Sequence, residues 1–148
     1  MIAYYFSIEI FGTELLIDEI LKILGNKIKI DSIIHPNDKN PKRDEKYGFG
    51  RISLSHPKVY IADDELVDYL SWLSDFIKEY FDIFYTLGME EVWFYTNIHY
   101  SNSYLSLDLF DSDFLKQIAS YKISISIPMD IHKVTEQEII EMLRNRPY

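Results

Sequence analysis

Residues 92–110 read VWFYTNIHYSNSYLSLDLF, and the fold turns on how they are paired. Val92, Phe94 and Ile98 alternate with Trp93, Tyr95, Asn97 and His99, the period of two that a half-buried strand requires. After the turn residues Tyr100, Ser101, Asn102 and Ser103, Leu105, Leu107 and Leu109 alternate with Tyr104, Ser106 and Asp108. The stretch predicts a hairpin with one aliphatic face. Its other face carries Trp93, Tyr95 and Tyr104, where the solvated side of an antiparallel sheet is ordinarily polar.

The same alternation recurs outward along the chain. In AYYFSIEIF, Tyr4, Phe6, Ile8 and Ile10 share one face, and Tyr5, Ser7 and Glu9 the other. TELLIDEILKILG then predicts a helix, with Thr13 as N-cap, an apolar stripe through Leu16, Ile17, Ile20, Leu21, Ile23 and Leu24, and Gly25 to end it. KIKIDSII offers another strand. Residues 35–50, HPNDKNPKRDEKYGFG, have no periodicity and read as a long mobile loop. RISLS alternates again, Ile52 and Leu54 against Arg51, Ser53 and Ser55.

Asp63, Asp64 and Glu65 suit the positive end of a helix dipole, and LVDYLSWLSDFIKEYFDIFYTLG predicts one long central helix ending at Gly88. Its stripe, from Leu66, Leu70 and Leu73 through Ile77, Phe81, Phe84 and Leu87, is widened by Val67, Trp72, Phe76, Tyr80 and Ile83, as suits a helix laid across a sheet. Asp111 and Ser112 cap a short helix, DFLKQIAS; KISISIP predicts a strand with Ile123, Ile125 and Ile127 inward and Ser124 and Ser126 outward. TEQEIIEMLRNR closes the chain as a helix with a capping box from Thr135 to Glu138. This order predicts a single α+β domain over residues 1–148, a mainly antiparallel sheet with helices packed on one face.

A chain of 148 residues, 47% hydrophobic and 16% aromatic, can bury a real core. It has no cysteine, which excludes disulfide scaffolds and thiolate metal sites. The opening MIAYYFSIEIFG has neither a basic n-region nor a small-residue cleavage site, and no apolar run approaches the length of a membrane span, so the expectation is a cytoplasmic protein without membrane attachment. Net charge is −9, which repels nucleic acid and favours a basic partner.

YYFSIEIFGTELLIDEILKILG, KYGFG, the helix through residue 87, YLSLDLF and ISISIP stand in an order that resembles the family of domains of unknown function numbered 4279 (DUF4279). The resemblance spans most of the chain and implies its fold. It departs at GNKIKI, which lacks the proline such members carry after the first helix, and at the serine-rich last strand, where an acidic Asp-Ile-Tyr ending is typical. That family has no established catalytic residues, so none is carried over. Size, acidity and surface are more loosely similar to bacterial immunity proteins, which block a toxin domain.

Five strands place serines beside amphipathic aromatics on the outward face: Tyr5, Ser7, Glu9, Ser53, Ser55, Trp93, Tyr95, Asn97, His99, Tyr104, Ser106, Asp108, Ser124 and Ser126. A solvated sheet accounts for the pattern, as does a face covered by the terminal helix. A protein-binding surface accounts for it too, since Tyr and Trp are enriched at binding hot spots. His35, His56, His99 and His132 show no ligand spacing, and no metal or cofactor motif or phosphate loop occurs. His99 beside Asp108 could serve as an acid/base dyad, although surface and packing roles explain the histidines more simply.

The reading is a non-catalytic binding module, an immunity-type protein that neutralises a cognate basic toxin domain. Trp93, Tyr95, His99 and Tyr104 anchor the partner, and Glu90, Glu91 and Asp108 steer it. The alternatives are an enzymatic or small-molecule role on the serine-rich face, and a homodimer in place of a monomer.

Overall fold

The computed structural model describes residues 1–62, 66–102 and 110–145. Strand β1 (Ile2–Gly12) is the axis of the sheet. It is antiparallel to β3 (Gly50–Ser55) and the short β4 (Ile61–Ala62) on one side and to β5 (Glu91–Tyr100) on the other. Beyond β3 lies β2 (Lys29–Ile34), with a bulge between Ile30 and Ser32. Beyond β5 lie β6 (Ser124–Ser126) and β7 (Met129–Lys133), both parallel to it. The sheet is therefore mixed, in an α+β domain.

Those parallel pairs correct the hairpin expectation. β5 itself is present with the predicted alternation. Its edges, however, are occupied by β1 on one side and by β6 and β7 on the other. The predicted second arm, with Tyr104 and Asp108, lies outside the described residues, as do Asp63, Asp64 and Glu65.

One face of the sheet is covered by α1 (Ile17–Leu24), α2 (Leu66–Thr86) and α3 (Ser112–Ala119). Tyr4, Phe6, Ile8, Ile10, Ile52, Leu54, Val92, Phe94 and Ile98 meet Ile20, Leu24, Leu73, Ile77, Phe81, Phe84 and Phe114 there in one core. Side chains of this size each gain about 1.5–3 kcal/mol on full burial. Ile83, predicted to widen the stripe of α2, is instead exposed, because it lies beyond the arc that reaches the sheet.

Several boundaries differ from the sequence reading. α1 starts at Ile17 after an N-cap, Leu16, that makes no side-chain capping bond, and Leu16 is 53% exposed. Thr13 does not cap it; its amide and hydroxyl both donate to the Glu90 carboxylate, at 3.2 and 2.6 Å. α1 begins only at Ile17, so no helix amide follows Thr13 closely enough for its hydroxyl to accept as a cap. The predicted last strand is cut to β6: Ile123 and Ile125 pack against the core, whereas Ile127 is exposed. Pro128 ends it and β7 begins. Asp111 caps α3 as predicted, accepting from the Phe114 amide at 2.8 Å.

Residues 35–50 contain local structure that periodicity does not reveal. An isolated antiparallel bridge joins Lys39 to Lys46, and backbone bonds run from the Tyr47 amide to the Asp38 carbonyl and from the Gly48 amide to the Pro36 carbonyl. The loop thus returns on itself and delivers Tyr47 and Phe49 to the end of the sheet.

The fourth helix, α4 (Glu136–Arg144), has the predicted capping box between Thr135 and Glu138. It packs against β1 and β5, burying Ile139, on the face opposite the other helices. The prediction of helices on one face holds for α1, α2 and α3; α4 covers one end of the other face.

Candidate functional site

Alternation along β1, β3 and β5 puts Tyr5, Ser7, Glu9, Phe11, Arg51, Ser53, Ser55, Glu91, Trp93, Tyr95, Asn97 and His99 on the open face. Register aligns them in rows. Ser53, Glu9, Trp93 and Ser126 form one row; Ser55, Ser7 and Tyr95 the next; then Tyr5, Asn97 and Asp130. The last row holds Ala62, Ala3, His99 and His132. Ser124 stands opposite Glu91 on β6.

The helix α4 lies over the His99 end. There the His99 ring stacks on His132 with centroids 5.0 Å apart and meets Tyr60 edge-on at 5.5 Å. Burial holds the His99 imidazole below its ordinary value; His132 lowers it further, and the Glu138 carboxylate opposes both. Its Nδ1 is buried with no hydrogen-bond partner among the described residues. The partner predicted for it, Asp108, lies outside them. His99 is therefore only partly exposed, set beside His132 and Tyr60 in the seam that α4 borders.

In the middle rows the serines are not solvated. Ser7, Ser53 and Ser55 are all buried beneath longer neighbours. The Ser55 hydroxyl donates to the Asp31 carboxylate, which the bulge of β2 brings over the face, and Tyr5 also donates to Asp31, at 3.0 Å. Burial raises the Tyr5 phenol above its ordinary value; the Ser55 hydroxyl opposes the rise and the Asp31 carboxylate adds to it. A hydroxyl committed to a carboxylate and closed off from solvent serves packing and satisfaction of polar groups. Tyr95 donates to Asp130, tying β5 to β7 across the face.

At the far end from α4 the surface changes character. Trp93 is partly exposed, and its indole N–H donates to Glu91 Oε1 at 2.6 Å. Its ring lies 5.0 Å from Phe11, which lies 6.1 Å from Phe49, which lies 5.7 Å from Tyr47. Four rings from β5, β1 and the loop before β3 thus form a continuous aromatic run. Glu9, Glu90 and Glu91 flank it, and none of them forms an ion pair with a cation among the described residues. Arg51, on the other side of Phe11, is turned to β2, where its Nη2 donates to Ser32.

Of the partner residues assigned from sequence, Glu90, Glu91 and Trp93 come together here, and Tyr95 lies one row beyond Trp93 on the same face. Phe11, Tyr47 and Phe49 were missed. Phe11 falls in the outward parity of its strand, a signal that was available; the contact of Phe49 with it depends on how the loop closes.

Elsewhere, His56 is a core residue: its Nδ1 accepts the Lys58 amide at 3.1 Å, and its ring meets Trp72 edge-on at 5.0 Å. Among the described residues no cluster of His, Asp and Glu could hold a metal ion, and no helix is long and apolar enough to cross a membrane. Neither a family model, nor a curated protein, nor a solved structure matches the chain. The resemblance to family 4279 accordingly rests on the order of apolar elements alone.

Proposed function

We propose that the protein acts by binding another protein, through the uncovered part of the open sheet face, and that its partner is basic. The observation that carries this reading is the run Tyr47, Phe49, Phe11 and Trp93, partly exposed and bordered by carboxylates that form no ion pair among the described residues. Large, rigid aromatic rings give contact area at little entropic cost and are the residues on which binding energy concentrates. Uncompensated acidic groups around them accelerate encounter with a positive surface and select against negative ones. A net charge of −9 extends the same preference over the whole molecule.

In its specific form the proposal is an immunity-type role, in which this face occludes a cytoplasmic toxin domain. Co-expression with the product of the upstream neighbouring gene tests it. A stoichiometric complex that loosens as salt is raised, and that Trp93→Ala weakens while the monomer keeps its fold, supports the reading. A monomer that leaves that product unbound and uninhibited counts against it. So does a Trp93→Ala chain that no longer folds.

A further inference from the structure

Phe11, Phe49, Thr13, Glu90, Glu91 and Ser124 line a cleft of about 250 Å³ at the end of the aromatic run. That is below the size of ordinary small-molecule pockets, about 300–1,000 Å³, and suits a single side chain. The Phe11 ring meets Phe49 and Trp93 at 51° and 47°, so neither neighbour seals it face to face. Both carboxylates are held by neutral donors: Glu90 by the Thr13 amide and hydroxyl, Glu91 by the Trp93 indole. Such bonds fix where the charges sit without neutralising them.

We propose that this cleft seats an arginine side chain presented by a basic protein partner. The inference rests on the reading of this face as protein-binding and names what the face recognises. A guanidinium is planar and weakly hydrated, so it can lie on an aromatic ring while its edge donates to a carboxylate. A lysine ammonium offers only a compact, strongly hydrated charge. An anion would meet two fixed carboxylates, and an apolar side chain would leave both of them uncompensated.

The test is a titration of the full chain with Nα-acetyl-arginine amide and with its neutral isostere, Nα-acetyl-citrulline amide, followed by nuclear magnetic resonance. Trp93 reports through its indole N–H, and Trp72, which packs against His56 and Phe76, is the internal reference. The arginine probe is expected to shift Trp93 saturably in the millimolar range, and citrulline to bind about tenfold more weakly or not at all. Glu91→Gln, which keeps an acceptor for the indole but leaves only the Glu90 charge in the cleft, should reduce the difference between the two probes. Equal responses to both, or an unmoved Trp93 resonance, would overturn the proposal using the wild-type chain alone. A partner complex indifferent to both Glu91→Gln and Phe49→Leu also overturns it, while leaving protein binding by this face intact. Selective arginine binding with no partner complex does the reverse.

Discussion

His99 on β5 and His132 on β7 stack with their ring centroids 5.0 Å apart, in the row where parallel pairing joins the last strand to the rest of the sheet. Tyr60 closes the third side of the pair, and α4 brings Glu138 near it. Burial and His132 keep His99 below its ordinary value, so the unfolded chain takes up its proton first as pH falls. Stability is therefore complete above the ordinary imidazole value of 6.5 and is lost progressively as pH drops through it, the loss ending below the folded-state value. Because the ring is partly solvated, the effect should be small. Urea midpoints at about pH 8 and about pH 5 should differ less in His99→Gln than in the wild type. An unchanged difference would assign the pH dependence to other groups.

Gly12 ends β1 where the turn between α2 and β5 crosses it. A methyl group added there would collide with the Gly88 carbonyl oxygen, and Gly88 itself has φ 93°, which only glycine adopts freely. Gly12→Ala should destabilise by about 1–3 kcal/mol, read from urea unfolding. A neutral result would mean that this crossing can open.

Thr135→Ala removes the hydroxyl side of the capping box on α4, its acceptance from the Glu138 amide, and leaves the Glu138 carboxylate only the residue-135 amide. The expected cost is about 1 kcal/mol, concentrated on α4 and the His99 seam. Hydrogen exchange should show faster amides in α4 while β1 and the core helices keep their protection. Uniform acceleration would place α4 in the global folding unit.

Core and face should respond oppositely to truncation. Phe81 is fully buried against Phe76, Phe94 and Tyr121, and Phe81→Ala should cost about 3–5 kcal/mol. Phe49, partly exposed, should tolerate Phe49→Leu within about 1 kcal/mol while weakening partner binding by a larger factor. Comparable losses of stability at the two positions would make Phe49 a structural residue.

Local pattern alone identified the strands β1, β3 and β5, the long helix α2, the Asp111 cap and the Thr135 box. Each depends on residues within one or two turns of chain, where the pleat, the helical period and short-range hydrogen bonds dominate. It also sorted Trp93, Tyr95 and Asn97 onto the outward face, since parity along a strand is independent of what lies beside it. What stands next to a strand is another matter. β5 pairs with two strands that follow it by more than twenty residues, and nothing within β5 distinguishes a parallel neighbour from a hairpin arm. Only the tertiary structure decided that α4 packs at the His99 end of the open face, and that the loop before β3 sets Phe49 against Phe11. These are contacts of high sequence separation. They are set by which apolar surfaces the folded chain can bury together, and no local window of the sequence contains both partners.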